Sequence, residues 1–410
     1  MSLDTAPRLD ADGLLDDPQT RIVVCCGAGG VGKTTTAAAL GVRAAERGRR
    51  VVVLTIDPAK RLAQSMGIDA LDNSPRRVDG VEGPGELYAM MLDMKRTFDE
   101  IVEAHADADR ARAILENPFY QSLSAGFAGT QEYMAMEKLG QLRARDSWDL
   151  IIVDTPPSRS ALDFLDAPKR LGSFLDGRFI RLLTAPAKAG GRAGMKFLNV
   201  GMSMMTGTLG KLLGASLLRD VQTFVAAMDT LFGGFRTRAE ATYRLLQAPG
   251  TAFLVVATPE RDALREAAYF VERLEADRMP LAGLVLNRVH ESDAAQLSAE
   301  RALAAAEALD ERGVDDAGSG AKGAGAADTG STGGTDGTGT EGAADAAALL
   351  RLHAERMQVL AHERRTRDRF AALHPEVPVT QVTALPGDVH DLAGLRDVAE
   401  RLTAQEAPGA

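Results

Sequence analysis

A glycine-rich segment followed by a lysine and a run of threonines is the part of the chain best suited to phosphate chemistry. It begins at Gly27, reads GAGGVGKT, and fits the P-loop pattern G-x-x-x-x-G-K-[ST]. Glycines let the backbone turn its N–H groups toward phosphate oxygens, and a following helix adds the partial positive charge of its N-terminus. We expect nucleotide contacts from Gly27, Gly29, Gly30, Val31, Gly32, Lys33, Thr34 and Thr35.

The polar side chains of this segment have distinct expected roles in phosphoryl chemistry. Lys33 is expected to reach the β- and γ-phosphates and to act in catalysis, and Thr35 to touch the α-phosphate. The hydroxyl of Thr34 is expected to bind Mg²⁺. Because the segment follows an apolar run and precedes a helical pattern, a chance glycine-rich turn is the weaker interpretation.

Two aspartates follow apolar runs elsewhere in the chain. Asp154 ends DLIIVD and is the candidate second magnesium group beside Thr34. Asp57 follows VVVLTI and begins an Asp-Pro-Ala turn, and we expect it to orient or deprotonate the water that attacks the γ-phosphate. The alternatives are an ordinary strand-ending aspartate for the first and a turn aspartate before proline for the second.

Short apolar runs that alternate with helical patterns predict the elements that position these residues. The runs lie at 21–26, 51–56, 86–92, 149–154, 252–257, 281–287 and 378–382. Several lack polar alternation, as strands covered on both faces do. The predicted fold is therefore α/β, a doubly wound and mainly parallel sheet with helices on both faces.

Three segments depart from the strand–helix alternation and define the predicted domain organisation. Residues 1–20 are acidic and predicted to be disordered, and 164–247 lack a convincing strand and are predicted to be an inserted helical subdomain. Residues 318–342 contain 10 glycines and no Val, Leu, Ile or Phe, which predicts disorder because too little apolar surface can be buried. The P-loop domain would comprise 21–163 and 248–410.

Composition and charge exclude several classes of protein. The net charge of -10 argues against a nucleic-acid partner, which would require a basic surface. The two cysteines, Cys25 and Cys26, are adjacent, which excludes a disulfide framework and a cysteine-rich zinc site. The acidic start lacks the apolar core of a signal peptide, so we expect a cytoplasmic protein, with a peripheral membrane position as the alternative.

The order of the motifs along the chain resembles that of the arsenite-pump and tail-anchored-protein-targeting ATPases, the anion-transporting ATPases. The motifs are GAGGVGKTTT from Gly27, TIDPAKRL from Thr55, AGTQEYMAM from Ala128 and VDTPPSRSALDFL from Val153. The resemblance implies a deviant P-loop ATPase that binds ATP and Mg²⁺, works as a dimer and couples nucleotide state to its helical subdomain.

The resemblance also implies roles for individual residues. Asp57 matches the aspartate of switch I that positions the attacking water, and residues 154–158 match switch II, which senses the γ-phosphate. Asn287, with Arg288 beside it, matches the asparagine that hydrogen-bonds the adenine edge. The loop containing Pro386, Gly387 and Asp388 matches a segment that covers the base.

One departure from the family pattern bears on the partner chain. The family usually has a lysine where this chain has Ala28, and that lysine reaches the phosphates of the other subunit. Since a trans cation is worth ~10³ or more in rate, the chain is expected to hydrolyse ATP slowly without a lysine-bearing partner. A heterodimer with a homologous ATPase subunit is the favoured arrangement, with a homodimer as the alternative.

Other departures concern the substrate. The adjacent cysteines cannot supply separated thiolates for arsenite, so the pump function is not carried over. Residues 196–218 are rich in Met and Leu and suit either an apolar client groove or ordinary core packing. The expected partner is an apolar client or a membrane protein. Arg159 in switch II is interpreted as a surface arginine, with phosphate or partner contact as the alternative.

Two rival functions remain from the sequence alone. A chromosome-partitioning or septum-positioning ATPase would share the P-loop type, but the acidic charge and the large insertion argue against it. A non-hydrolysing regulatory subunit of a heterodimeric ATPase would explain Ala28. Activity of the reconstituted pair separates the second rival from an active ATPase.

Overall fold

The computed structural model describes residues 7–57, 61–118, 120–121, 130–156, 234, 237–319 and 338–404. Within these ranges the chain forms one eight-stranded sheet flanked by helices. The strands are β1 (Ile22–Gly27), β2 (Arg50–Thr55), β3 (Arg76–Arg77), β4 (Glu86–Met91), β5 (Leu150–Asp154), β6 (Thr251–Ala257), β7 (Leu281–Val289) and β8 (Val379–Thr383).

The labelled helices lie mostly between the strands, as the alternation predicts. They are α1 (Ala11–Asp16), α2 (Lys33–Glu46), α3 (Arg61–Ser65), α4 (Met94–His105), α5 (Ala108–Leu115), α6 (Thr130–Ala144), α7 (Arg261–Ala276), α8 (Ala299–Ser319), α9 (Thr338–Leu373) and α10 (Leu392–Thr403). A further helical stretch covers 237–247. None of the described helices is long and apolar enough to cross a membrane.

The sheet order is β3-β4-β2-β5-β1-β6-β7-β8, and every pairing except β3 with β4 is parallel. The predicted doubly wound, mainly parallel sheet is thereby confirmed. All seven predicted strands form, and their observed bounds lie within two residues of the predicted ones. The two-residue strand β3 was not predicted, because Arg76 and Arg77 are exposed polar residues without an apolar pattern.

The central strands are buried on both faces by two apolar clusters. Every residue of β1, β5 and β6 is buried. Alternate residues of β1 enter opposite clusters: Val24 and Cys26 pack in one, and Val23 and Cys25 in the other. The two cysteines are therefore buried apolar residues on opposite faces of the sheet, as their adjacency in a strand predicts.

The N-terminal segment differs from its prediction, since residues 7–20 are ordered. Leu9 donates its N–H to Val379 (3.1 Å), and Val379 donates to Pro7 (2.8 Å), so the segment pairs with the edge of β8. Helix α1 buries Leu15, and Asp12 forms a salt bridge with Arg43 of α2. The prediction of disorder over 1–20 is wrong for these residues, because Leu9 and Leu15 pack in an apolar cluster and the acidic residues form salt bridges with arginines.

Much of the predicted helical insertion lies outside the described residues. This applies to 164–233 of the predicted subdomain 164–247, to Arg159, and to the Met- and Leu-rich residues 196–218. At the C-terminal end of the insertion, Arg238 donates to the buried Glu137 of α6 (2.9 Å). Of the glycine-rich segment 318–342, residues 320–337 lie outside the described ranges, while its last residues, from Thr338, form the first turn of α9.

Candidate nucleotide site

The loop between β1 and α2 is shaped by close contacts that exclude side chains. Gly27 has φ +149°, and a Cβ there would lie 2.1 Å from the carbonyl oxygen of Val256 on β6. Gly32 has φ +97° as the N-cap of α2, and its Cβ would lie 2.2 Å from Nδ2 of Asn287. Glycine is therefore required at both positions by backbone conformation and by space.

The opposite side of the loop is open, which suits a phosphate group. Gly29 and Gly30 are exposed, and a Cβ at Gly30 (φ +79°) would meet no atom within 4 Å. Helix α2 begins at Lys33, so the unpaired N–H groups of its first turn lie at this loop. Thr34 and Thr35 are half-buried there. The geometry is that of an anion cradle formed by backbone N–H groups.

Lys33 is held inside the loop. Its side chain donates from Nζ to the carbonyl oxygen of Ala28 at 2.7 Å, and the residue is 6% exposed. Burial lowers the pKa of Lys33, although the charges of Asp154 and Asp57 act in the opposite direction. The ammonium group is thus poorly hydrated, which strengthens its attraction to an anion entering the loop.

Asp154 is the most deeply buried charged group of the site. It ends β5, which lies between β1 and β2, and pairs in register with Cys25 and Thr55. Its Oδ2 accepts hydrogen bonds from Oγ1 of Thr34 (2.7 Å) and Oγ1 of Thr55 (2.9 Å). Burial raises the pKa of Asp154 to about 6, while both hydroxyls and the charge of Lys33 counteract the increase.

The second carboxylate oxygen of Asp154 provides a test of whether the site fits a metal ion. Oδ1 is buried and has no hydrogen-bond partner among the described residues. Such an orphaned acceptor next to the Thr34 hydroxyl fits a water molecule of a hydrated Mg²⁺ ion. The described residues contain no cluster of three His, Cys, Asp or Glu side chains, so nucleotide phosphates and water would supply the other ligands.

Asp57 lies two residues after the end of β2, and the intervening Ile56 donates its N–H to the carbonyl oxygen of Asp154 at the end of β5 (3.0 Å). The backbone N–H of Asp57 donates to Oγ1 of Thr55 at 3.2 Å, and Asp57 is half-buried. The charge of Asp57 raises the pKa of both Lys33 and Asp154. The structure thus brings Asp57, Asp154 and Lys33 into one electrostatic group, because the carboxyl ends of neighbouring parallel strands meet at one edge.

The residues predicted to contact adenine lie at the same edge of the sheet. Asn287 is hydrogen-bonded to the glycine loop, whereas the others are exposed. Asn287 donates from Nδ2 to the carbonyl oxygen of Val31 (2.8 Å), and its Oδ1 accepts the N–H of Arg288. Arg288 is exposed and has φ +58°. Pro386, Gly387 and Asp388 are exposed in the loop after β8. Base recognition by these five residues stays a prediction.

Two threonines to which the sequence motifs assign no individual role link the strand ends. Thr55 bridges Asp154 and Asp57, and Thr155 donates from Oγ1 to the carbonyl oxygen of Cys25 at 2.9 Å. The available signal was a hydroxyl residue at the end of an otherwise apolar strand. That signal is weak because threonine also favours strands for its shape.

The region that contains the site matches a known family. Residues 20–315 match the family model for anion-transporting ATPases. This range includes the glycine loop, Asp57, Asp154 and Asn287, together with β1 to β7. The ordered segment before it, β8, α9 and α10 lie outside the matched residues.

Individual relatives cover different shares of the chain. An ATPase GET3 from Podospora anserina is 28% identical over 293 residues, 70% of this chain and 78% of the relative. An ATPase GET3 from Malassezia globosa is 29% identical over 170 residues, 42% of this chain and 49% of the relative. A putative arsenical pump-driving ATPase from Halobacterium salinarum is 30% identical over 197 residues, 44% of this chain and 29% of the relative.

Proposed function

The chain belongs to the anion-transporting ATPase family and is an ATP-binding ATPase, and from this premise we propose that it hydrolyses Mg-ATP at the Gly27 loop. The observation that carries the proposal is the Asp154 carboxylate. One of its oxygens is held by the hydroxyls of Thr34 and Thr55, and the other is buried without a partner among the described residues. Most buried polar atoms in folded proteins have a hydrogen-bond partner, so the second oxygen is suited to accept from a water molecule bound with the nucleotide.

In the proposed site, the chain's own groups bind the phosphates and orient the water. The loop N–H groups and Lys33 would hold the β- and γ-phosphates, and Thr34 and Asp154 would hold the hydrated magnesium ion. The bound ion would neutralise charge on the phosphate oxygens. Asp57, at the end of the neighbouring strand, orients the attacking water and accepts a hydrogen bond from it.

We further propose that a second chain completes the site. Ala28 is 9% exposed and packs with Val31 in an apolar cluster, while its carbonyl oxygen accepts the Lys33 hydrogen bond. Position 28 therefore supplies no cation for a neighbouring subunit. A heterodimer with a homologous lysine-bearing subunit supplies that charge, and a homodimer of this chain hydrolyses slowly.

The proposed output is work on an apolar client or a membrane partner rather than on arsenite. One relative is named as an arsenical pump-driving ATPase. In this chain both cysteines are buried in β1, where they cannot converge on one soft ion. The Met- and Leu-rich residues 196–218 support an apolar client, and the Arg238–Glu137 ion pair anchors the C-terminal end of the insertion to α6.

Binding and single-turnover hydrolysis measured with excess protein test the proposed site. Lys33→Met is expected to lower turnover by roughly 10² or more, because the phosphate charge loses its buried cation. Asp57→Asn is expected to keep ATP binding and to lower the hydrolysis rate by roughly 10²–10⁴. Lys95→Met is the matched control, since Lys95 is exposed and paired with Asp99 on α4.

The outcomes separate the proposed roles. Unchanged hydrolysis in Asp57→Asn would remove Asp57 from the reaction, and unchanged ATP affinity in Lys33→Met would remove the lysine from the cradle. A second candidate function, a regulatory subunit that binds ATP without turnover, is favoured by Ala28. Hydrolysis by the wild-type chain that Lys33→Met abolishes would rule it out.

A further inference from the structure

The hydroxyl of Thr55 lies between the two carboxylate residues of the proposed site. Thr55 is the last residue of β2 and pairs in parallel register with Asp154, the last residue of β5. Both residues are buried, with exposures of 1% and 0%. Paired residues of a sheet direct their side chains to the same face, so the hydroxyl and the carboxylate meet there.

The hydroxyl makes two hydrogen bonds of opposite direction. Oγ1 donates to Oδ2 of Asp154 at 2.9 Å and accepts the backbone N–H of Asp57 at 3.2 Å. A hydroxyl has one proton, and the other acceptor near it, the carbonyl oxygen of Asp57, lies farther away at 3.4 Å. Because Oδ2 of Asp154 is the nearer acceptor, the proton is directed toward Asp154, and a lone pair of Oγ1 accepts the Asp57 N–H.

We propose that Thr55 is a positioning residue for hydrolysis, holding the Asp57 backbone at a fixed place relative to the Asp154 carboxylate. The inference rests on the proposed function, in which Asp57 orients water and Asp154 faces the magnesium ion. Thr55 itself is fixed, since its carbonyl accepts from Leu92 (2.9 Å) and the next residue, Ile56, donates to the Asp154 carbonyl (3.0 Å).

The position of Asp57 matters because it lies just beyond this ladder. Strand β2 ends at Thr55, so Asp57 begins the connection to α3 rather than extending the sheet. A displacement of about 1 Å in a group that orients a reactant can lower a rate by roughly 10². A hydroxyl anchored on the neighbouring strand end limits that displacement without contacting the nucleotide.

The opposing interpretation is that Thr55 is an ordinary buried β-branched residue. Valine has nearly the same shape without the hydroxyl, whereas serine keeps the hydroxyl and loses the methyl group. If only shape matters, Thr55→Val is harmless and Thr55→Ser is the poorer variant. The positioning role predicts the reverse order, so the two substitutions decide between the interpretations.

Steady-state kinetics of the full chain give the first measurement. In Thr55→Val we expect kcat to fall roughly 10- to 100-fold and KM for ATP to change less than about threefold, because the glycine loop is untouched. Thr55→Ser should retain kcat within about threefold. Thr380→Val is the matched control: its buried hydroxyl donates to the carbonyl of Leu402 on the far edge of the sheet, and its kcat should stay within about twofold of wild type.

Hydrogen exchange at the Asp57 amide gives a second measurement that needs no turnover. Without nucleotide, the Asp57 amide hydrogen should exchange about tenfold or more faster in Thr55→Val than in wild type. In Thr55→Ser it should exchange at the wild-type rate. Unchanged exchange in Thr55→Val overturns the proposal, as does faster exchange with unchanged kcat. A wild-type chain that does not bind ATP refutes the proposed function instead, and the exchange comparison alone then decides whether Thr55 holds Asp57.

Discussion

At the scale of single residues, the cost of burying charge at the centre of the site exceeds the electrostatic attraction between the buried groups. Lys33 and Asp154 carry opposite charges, yet the pKa of the lysine is lowered and that of the aspartate is raised. Burial is the largest cause of both pKa shifts. For each group, the hydration free energy lost on burial is therefore larger than the stabilisation gained from the opposite charge nearby. Such a pair is destabilising without ligand, and an incoming phosphate and cation would restore the missing partners.

This electrostatic arrangement predicts a pH-dependent gain in stability for Asp154→Asn. A carboxyl whose pKa rises from 3.8 to about 6 on folding favours the folded state below pH 3.8 and loses that contribution as the pH rises through 6. The loss amounts to about 3 kcal/mol at pH 8. An uncharged asparagine is therefore expected to raise the free energy of unfolding at pH 8 and to lose its advantage near pH 4.

Urea unfolding with a metal chelator at both pH values measures the effect. The variant should also fail to hydrolyse ATP, because the proposed magnesium ligand is gone. An asparagine variant whose stability relative to wild type is the same at pH 4 and pH 8 would contradict a raised pKa for Asp154. Asp109→Asn serves as the control, since Asp109 is exposed on α5.

At the scale of elements, the parallel sheet gathers residues that are far apart in sequence. Strands β2, β5 and β1 are neighbours and run in the same direction. Their carboxyl ends therefore place Asp57, Asp154 and Gly27 at one edge. Strand β6 packs closely against Gly27, and Asn287 near the end of β7 lies against Gly32.

The N-terminal segment is a structural element as well. Helix α1 has Asp10 as its N-cap, accepting the N–H of Gly13 at 2.8 Å, and Leu15 is fully buried. The segment pairs with β8, which otherwise forms the edge of the sheet. An open edge strand is prone to pair with other chains, so this segment protects the edge.

Leu15→Ala is expected to destabilise the protein by about 2–5 kcal/mol, because it leaves a cavity where a buried side chain was. Chemical unfolding monitored by circular dichroism measures the loss. Leu349→Ala is the matched control: Leu349 is 67% exposed on α9, and its substitution should change stability by less than about 0.5 kcal/mol. Equal, negligible effects of both substitutions would show that α1 does not pack on the domain in solution.

At the scale of the whole molecule, the sequence contains one P-loop motif, and the residue at position 28 within it is an uncharged alanine. The proposed consequence is that full activity requires a second, lysine-bearing chain. Gly29 and Gly30 expose the mouth of the loop, where a cation from a partner could approach. A second subunit could therefore place a positive charge at the mouth of the loop without displacing residues of the first subunit.

Ala28→Lys in the isolated chain tests this dependence. If the missing cation limits turnover, we expect an increase of at least about tenfold, a small part of the ~10³ that a trans cation can supply. Ala28→Met is the control of similar length without charge. ATPase rates measured across protein concentrations would show whether the gain needs association, and an Ala28→Lys variant no faster than Ala28→Met would contradict the proposed role of the missing lysine.

Much of the fold could be predicted from sequence because the local signals were strong. Uninterrupted apolar runs identified the seven main strands, and the glycine spacing identified the turn into α2. The exposed pair Arg76–Arg77 gave no such signal, since β3 exists only through pairing with β4. The order of residues 7–20 could not be predicted locally, because Asp12 and Asp16 are neutralised by Arg43 and Arg47, which lie in a later segment of the chain.

The sequence alone determined which residues could form a phosphate loop, which strands would be buried, and the family that the motif order resembles. Only the tertiary structure decided that Thr55 joins Asp57 to Asp154, that one oxygen of Asp154 is left without a partner among the described residues, that Leu9 pairs with the edge strand β8, and that Leu15 is buried in an apolar cluster. The reason is physical: glycine spacing and apolar runs are local, whereas hydrogen bonds between strand ends and burial of isolated leucines depend on segments far apart along the chain.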